Sequence, residues 1–218
     1  MTTQASAKRD SKPGRTNDPE RTKQDILAIA TTEFAEKGLS GARIDDIAAL
    51  TKTSKRMIYY YFGGKEELYL AVLEEAYRRI RSIENDLHLA DFPPEEAMRK
   101  LVAFTFDYQA GNPDFIRLVM NENMHNGQYL AKSTSIKHLN SPAINAVRDI
   151  YARGCIDGIF RPGLDPVDIH MSISALCFFN VSNKHTFSLI FKRKLSTIQE
   201  IEQRRQNIVE LIVRYLKA

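Results

Sequence analysis

Apolar residues recur at intervals of three and four along most of the chain, which is the period of an amphipathic α-helix. The first such segment places Ile26, Ala30 and Phe34 on one face. It follows Asp18-Pro19, a pair typical of a helix start, and Gly38 is predicted to end it. The sequence shows no sustained alternation of apolar and polar residues, which would indicate strands. The pattern therefore predicts an all-α fold.

Two short helices and a long one are predicted next. The second helix is short and has an apolar face made of Ile44, Ile47 and Ala48. Residues 51–53 interrupt the pattern, Ser54 can cap a third helix over residues 55–62, and a long helix begins at Lys65. Pro93-Pro94 marks the next boundary. Beyond it the pattern predicts helices over about 94–110, 113–125, 141–157, 166–184 and 196–216, so about nine helices in all.

Composition is that of an ordinary globular protein, with 43% hydrophobic and 27% charged residues. No apolar run reaches the ~18 residues of a membrane span, and the first residues lack the apolar core of a signal peptide. Cys155 and Cys177 have neither metal-ligand spacing nor enough partners for a disulfide framework. These features favour a cytoplasmic protein with no membrane association.

Positive charge is concentrated near the start of the chain. Residues 1–65 contain 12 Lys or Arg and 8 Asp or Glu, whereas the remainder contains 19 of each. Residues 1–17 are polar and basic, and they are predicted to form a disordered arm. Such asymmetry indicates an N-terminal part that meets a polyanion, although surplus surface lysines would give the same charge.

The two short helices joined by three residues predict a helix-turn-helix, in which the second helix enters the major groove of DNA. In that second helix Ile58 and Phe62 are four residues apart and can face the core. Polar side chains are then directed outward, where arginine can read guanine and lysine or tyrosine can hold phosphate. Lys65 opens the following helix, whose free N–H groups also favour a phosphate.

The stretch from Ile44 to Leu68, IDDIAALTKTSKRMIYYYFGGKEEL, resembles the DNA-binding signature of the TetR family of bacterial transcriptional repressors. Phe34 and Gly38 match an upstream part of the signature, and the likeness covers about residues 22–80. The matched positions within the stretch are Ile47-Ala48, Ser54, Ile58-Tyr59, Tyr61-Phe62, Lys65-Glu66 and Leu68.

The resemblance implies a DNA-binding domain at 18–64 and a ligand-binding and dimerisation domain at 65–218. It implies a homodimeric repressor that binds double-stranded DNA at a palindromic operator and is released by a small-molecule effector of unknown identity. The family pattern puts Lys55, Arg56, Met57 and Tyr59 against bases. It puts Tyr60, Tyr61 and Lys65 against phosphates, with Ser54 and Arg43 as further contacts.

Three positions depart from the family pattern. Ala42 stands where a small capping hydroxyl is usual, so either Ser40 is a substitute cap or the helix start is weaker by ~1 kcal/mol. Lys52 replaces the glycine of the turn, which costs on the order of 1 kcal/mol if the position requires a positive φ. Thr53 replaces a valine. These changes bear on the rigidity of the turn rather than on the motif.

The C-terminal half is rich in apolar residues with a few polar ones among them, as in a ligand pocket, although ordinary core packing gives the same composition. No cofactor, metal or catalytic residue is expected. Glu122-x-x-His125 has the spacing of a metal pair, but the sequence lacks the second such pair that a dinuclear site needs. The alternative function is a helical enzyme or metal-binding bundle. The candidate pocket residues are Phe104, Tyr108, Phe115, Arg117, Leu118, Asn121, Met124, His125, Cys155, Ser174 and Phe178.

The helices over 166–184 and 196–216 suit a four-helix dimer interface, with two helices from each subunit. The last helix has an apolar stripe on an otherwise charged surface, and the earlier one is apolar nearly all round. Packing within one subunit would explain the same stripes. The candidate interface residues are Ile169, Ile173, Leu176, Ile201, Ile208, Leu211, Ile212 and Tyr215.

Overall fold

A computed structural model describes residues 18–218, apart from the side chain of Lys137. The predicted all-α fold is confirmed for these residues, where an isolated antiparallel bridge between Phe160 and Lys217 is the sole β feature. The basic arm predicted over residues 1–17 lies outside the described residues. The described helices are α1 (Pro19–Gly41), α2 (Ile44–Thr51), α3 (Lys55–Phe62), α4 (Lys65–Asn85), α5 (Pro94–Gly111), α6 (Pro113–Met124), α7 (Ile136–Ile156), α8 (Pro166–Ser182), α9 (Lys184–Phe191) and α10 (Ile198–Leu216), with short 3-10 helices at Leu89–Asp91 and Leu130–Lys132.

The start of α1 follows the predicted signal, whereas its end at Gly41 lies beyond the predicted end at Gly38. Asp18 is the N-cap, and its Oδ1 accepts the backbone N–H groups of Glu20 and Arg21, each at 3.1 Å. Gly38 has φ +66°, a conformation that glycine adopts without steric cost, and it kinks the helix there. One further helical turn carries the chain to Gly41 before α2.

Two predicted boundaries in the C-terminal half are wrong. α7 begins at Ile136 rather than near residue 141, so Pro142 lies inside the helix and not at its start. Ser133 explains the earlier start, because its Oγ accepts the N–H groups of Ser135 and Ile136 at 3.2 and 3.1 Å. The helix expected to run to residue 184 ends at Ser182, and a separate helix, α9, follows it.

Two apolar clusters organise the described chain. The head cluster is formed by α1–α4 and also includes Leu118 of α6 and Ile136 of α7. The body cluster is formed mainly by α5, α7, α8 and α10. Burial of one such aliphatic side chain contributes about 1.5–3 kcal/mol, so both clusters are substantial. Because Leu68 and Val72 of α4 belong to the head cluster, α4 connects the head to the body.

Candidate nucleic-acid interface and ligand cavity

The turn between α2 and α3 depends on Lys52, which has φ 53° and ψ 33°. The predicted positive φ at this position is confirmed. The left-handed conformation directs the Lys52 N–H to the Ala49 carbonyl at 3.3 Å and the Thr53 N–H to the Ala48 carbonyl at 3.1 Å. These bonds end α2 and redirect the chain into α3.

The start of α2 has no side-chain cap, which excludes the alternative that Ser40 caps it and leaves the alternative of a weaker helix start. Arg43 is the N-cap residue and makes no capping bond through its side chain. Instead Glu33, which is 7% exposed, accepts the Arg43 backbone N–H at 3.3 Å and pairs with Lys37 at 2.8 Å. The hydrogen bond to Glu33 raises the pKa of the Lys37 ammonium. Glu33 thus fixes the entry into the motif. In the sequence, the spacing of four residues between Glu33 and Lys37 indicates a helical ion pair.

The second helix of the motif, α3, is held with one face inward. Ser54 is its N-cap, and the Ser54 Oγ accepts the Met57 N–H at 3.2 Å. Ile58 is fully buried in the head cluster, and Phe62 is half-buried against it. Successive helical residues point about 100° apart, so this anchoring decides which side chains face outward.

The outward face of α3 is polar and aromatic, as predicted. Lys55 and Arg56 are exposed, Tyr59 is 40% exposed and Tyr60 is 77% exposed. Tyr61 is half-buried, with its ring centroid 5.4 Å from that of Tyr60. The face combines cations and phenol groups, which suit phosphate oxygens and base edges.

Two lysines near this face already have partners in the protein. Lys55 Nζ lies 3.1 Å from Asp45 Oδ1, and both side chains are exposed. Lys65 Nζ donates to the Ser40 carbonyl at 3.4 Å, which brings the start of α4 beside the loop before α2. Exposed ion pairs are weak, so phosphate can compete with Asp45 for Lys55.

The body contains a cavity of about 220 Å³ between α4, α5, α6, α7 and α8. Seven of its fourteen lining residues are apolar or aromatic, and the other seven are polar or charged. A wider groove of about 740 Å³ lies between α4 and α7, and Arg81 lines both spaces. The cavity is lined by Tyr77, Ile80, Arg81, Glu84, Leu101, Thr105, Gln109, Phe115, Val119, Asn140, His170, Ile173, Ser174 and Phe178.

Two polar residues of the cavity wall, Glu84 and Gln109, are buried, and the others are partly buried. Arg81 pairs with Glu84 through its Nη1, while burial raises the pKa of the Glu84 carboxyl against the opposing effect of Arg81. Burial also lowers the pKa of His170, so its imidazole is neutral at pH 7. Gln109 is 6% exposed. Among the described residues, neither Gln109 Oε1 nor Arg81 Nε has a hydrogen-bond partner in the protein.

Three of the predicted pocket residues, Phe115, Ser174 and Phe178, lie on this cavity wall. Tyr108 is buried beside Phe115 and lines a neighbouring cleft, and Phe104 packs against the Tyr108 ring. The other predicted members do not line this cavity. They are Arg117, exposed and paired with Asp114; Leu118, in the head cluster; Asn121, bonded to the Phe34 carbonyl; Met124 and His125, exposed at the end of α6; and Cys155, near the Arg161 carbonyl.

Sequence reasoning missed the α4 and α5 side of the cavity. The signals were present: Arg81 and Glu84 have the spacing of a helical ion pair. Thr105 and Gln109 continue the stripe that begins at Met98 and Leu101, so two polar residues fall on an apolar face. A buried polar residue on such a stripe is more informative than the surrounding apolar ones.

The predicted dimer face is partly wrong. Ile169, Ile173, Ile208 and Ile212 are buried in the body cluster of a single chain and are unavailable to a second copy. Leu176 and Ile201 are half-buried against the same cluster, whereas Leu211 and Tyr215 are exposed. The opposite face of α8 is also exposed and apolar, at Val167, Met171, Ala175 and Phe179.

Glu122 and His125, whose spacing permits a metal pair, are engaged separately. Glu122 Oε2 accepts the Leu130 N–H at 2.9 Å, and its carboxylate helps to raise the pKa of the buried Tyr69. His125 Nδ1 lies 2.8 Å from the Asn121 carbonyl oxygen. Within residues 18–218 no three His, Cys, Asp or Glu side chains come together as a metal site.

Comparison with known proteins defines the class to which this fold and this motif belong. Residues 26–72 match the family described as bacterial regulatory proteins of the tetR family. Residues 94–212 match the tetracycline-repressor-like C-terminal domain. The chain belongs to the TetR family of bacterial regulatory proteins, and it is a DNA-binding transcriptional regulator. The alternative of a helical enzyme or metal-binding bundle is not favoured, because the relatives of this chain are transcriptional regulators.

Two curated relatives are repressors. The chain is 38% identical to the transcriptional repressor NicS of Pseudomonas putida, over 80% of this chain and 82% of that protein. It is 36% identical to the repressor SCO4008 of Streptomyces coelicolor, over 67% of this chain and 74% of that one. A solved tetR-family regulator from Rhodococcus RHA1 has the same fold, with a TM-score of 0.70 and 19% identity over 91% of this chain and 98% of that one.

In the described part of the chain, no helix has the length and hydropathy needed to cross a membrane.

Proposed function

We propose that the protein is a homodimeric repressor that binds a palindromic operator and leaves it when a small effector enters the body cavity. The observation that carries this proposal is the position of the cavity. Its wall includes Tyr77, Ile80 and Arg81 of α4, and the beginning of the same helix supplies Leu68 and Val72 to the head. A ligand that displaces α4 therefore displaces the head.

A second path from the cavity to the head runs through α6. Phe115 and Val119 of α6 line the cavity, and Leu118 between them is fully buried in the head cluster. Asn121 Nδ2 donates to the Phe34 carbonyl of α1 at 3.3 Å. The effector would thus act on two helices that both contact the head, and by linkage DNA would weaken effector binding by the same factor.

The DNA contacts come from α3 and its neighbours. Arg56 reads a base edge from the exposed face of α3, and Lys55, Met57 and Tyr59 accompany it in the major groove. Tyr60, Tyr61 and Lys65 hold phosphates, and Arg43 and Ser54 extend the contact at the starts of α2 and α3. The support for this assignment is the exposure and polarity of the face that Ile58 leaves outward.

The second copy is proposed to cover the exposed apolar faces of α8 and α10. The exposed apolar residues of α8 recur at intervals of four, at Val167, Met171, Ala175 and Phe179. On α10, Leu211 and Tyr215 extend the apolar surface. A groove lined by Phe179, Phe187 of α9 and Arg204 of α10 continues this surface. Helix α9 ends in exposed Leu189, Ile190 and Phe191 and would extend the contact. An apolar surface of this extent indicates a protein interface.

Selection of bound duplexes from a random DNA pool, at near-physiological salt and with nonspecific competitor, tests the proposal. We expect an enriched palindrome with half-sites about one helical turn apart, ~34–36 Å, or a multiple of it. Enrichment of a single half-site would contradict the dimer, and no enrichment would contradict specific recognition. A reporter gene behind the selected site should rise in expression when the regulator is deleted, and a fall would identify an activator instead.

A further inference from the structure

The body cavity has a chemical character that restricts its ligand, and this inference rests on the proposed effector role of the same cavity. Arg81 and Glu84 are oppositely charged and paired, and His170 is neutral at pH 7, so the wall has no net formal charge. An anion would therefore meet the Glu84 carboxylate without an unpaired cation to balance it.

Two buried polar atoms that belong to residues of the wall lack a protein partner. Gln109 Oε1 is an acceptor on α5, and Arg81 Nε is a donor on α4. Leaving such a group unpaired costs free energy, and native proteins contain few of them, so each calls for a reason. A ligand that presents one donor and one acceptor would complete both.

The aromatic and aliphatic part of the wall favours a flat ring. Tyr77, Phe115 and Phe178 supply aromatic faces from three different helices, and Ile80, Leu101 and Ile173 supply aliphatic ones. Aromatic groups pack well against such rings in stacked or edge-on arrangements. The volume of about 220 Å³ lies below that of pockets for drug-sized molecules, so the ligand is small.

We propose that the cavity binds a small, uncharged aromatic molecule that has one hydrogen-bond donor and one acceptor on its edge. Gln109 accepts from the donor of the ligand, and Arg81 Nε–H donates to its acceptor. These two residues determine specificity, and the aromatic side chains supply most of the contact area.

Three small aromatic probes of similar shape test this proposal on the full-length protein. Benzamide carries a donor and an acceptor and is neutral, benzoate is an anion at pH 7, and ethylbenzene has no hydrogen-bonding group. Ligand-observed NMR titration at pH 7 is expected to show saturable benzamide binding, with benzoate at least tenfold weaker. Benzoate binding as tight as benzamide, or no benzamide binding up to its solubility limit, would overturn the proposal.

Two variants separate recognition from folding. Gln109→Leu removes the acceptor and should weaken benzamide about tenfold while leaving ethylbenzene binding intact or tighter. Arg81→Lys keeps the charge opposite Glu84 but removes Nε, and it should weaken benzamide by a similar factor. Gln128→Leu makes the first substitution at an exposed site and should change neither ligand. Equal benzamide affinity in Gln109→Leu and the wild type would refute the assigned contact.

A second readout distinguishes this proposal from the effector role. The same probes are added to the complex of the protein with its selected operator, and DNA release is followed by fluorescence anisotropy. Benzamide that binds as described but leaves the DNA complex intact would contradict the effector role and keep the ligand chemistry. Release by benzoate and not by benzamide would contradict the ligand chemistry and keep the effector role.

Discussion

The polar groups assigned to recognition are exposed in the head and buried in the body. On α3 the groups assigned to DNA face outward, with Tyr60 77% exposed and Lys55 paired only to an exposed Asp45. In the body cavity Gln109 Oε1 and Arg81 Nε are buried without a partner in the protein. Water satisfies the first set before DNA arrives, whereas the second set reduces stability by about 1–3 kcal/mol for each unpaired group.

This difference indicates where the protein gives up stability for function. The head can remain well packed, because a large rigid partner binds to its surface and requires no internal space. The body must keep a space and polar groups inside its core to recognise a small molecule. Substitutions in the body should therefore change stability most, and substitutions on α3 should change DNA binding with little effect on stability.

The largest expected effect is on the buried ion pair. Arg81→Met leaves the Glu84 carboxylate buried and unpaired, which should reduce the free energy of unfolding by about 3–5 kcal/mol at pH 7. Burial already raises the pKa of Glu84, and loss of Arg81 raises it further. The folded protein then binds a proton more tightly than the unfolded chain does, so stability should recover as the pH falls through that raised pKa.

Urea unfolding at several pH values measures this effect, and Arg78→Met is its matched control. Arg78 pairs with Glu75 at the same separation of three residues but is 53% exposed. Exposed pairs are worth about 0–1 kcal/mol, so the control should lose little. The double variant Arg81→Met/Glu84→Gln should restore much of the stability and remove the pH dependence. Equal losses in the two single variants would show that the Arg81–Glu84 pair behaves as a surface pair.

Leu211→Glu tests whether the exposed apolar face of the body is the dimer interface. Leu211 is 51% exposed on α10, and a charge there should weaken dimerisation by about 2 kcal/mol for each symmetry-related copy. Sedimentation velocity would show monomer at concentrations where the wild type is a dimer, and affinity for the palindrome would fall. Ile156→Glu, on the exposed surface of α7, is the control and should remain dimeric. A dimeric Leu211→Glu would place the interface elsewhere.

Arg56→Ala tests the outward face of the head. We expect a loss of about 1–3 kcal/mol on the selected operator, with relaxed base preference at one position and an unchanged melting temperature. Lys65→Ala, at a proposed phosphate contact, should instead weaken all sequences alike and lower the salt dependence. Asp45→Asn removes the carboxylate that competes with phosphate for Lys55, and it should strengthen binding to any DNA. Equal losses for Arg56→Ala on operator and random duplexes would exclude it as a base reader.

The smallest effect concerns the turn. Lys52→Gly should stabilise the protein by about 1 kcal/mol, because glycine adopts φ 53° without the steric cost that lysine pays. That corresponds to a rise of about 2–4 °C in melting temperature for a chain of this size. Lys52→Ala retains the Cβ and should give no such rise, which separates backbone strain from loss of the charge. A melting temperature for Lys52→Gly at or below that of Lys52→Ala would contradict this account.

Local signals allowed much of the head to be predicted from the sequence. The positions of α2 and α3, the inward side of Ile58 and the outward position of Tyr60 all follow from helical periodicity, which acts over a few residues. The positive φ of Lys52 was expected only through the family resemblance, because the family pattern has a glycine at this position. The contact that fixes the start of α2 could not be predicted in this way, because Glu33 lies on α1, ten residues before Arg43.

The sequence by itself determined the all-α class, the helix-turn-helix and the polar face of α3, since each depends on neighbours along the chain. Only the tertiary structure decided which side of α8 is core, because Ile169 and Ile173 on one side and Val167 and Met171 on the other are equally apolar. It also decided the composition of the cavity, whose wall comes from five helices far apart in the chain. Periodicity shows that a helix has an apolar face, whereas the packing of several helices decides what that face contacts and where space remains between them.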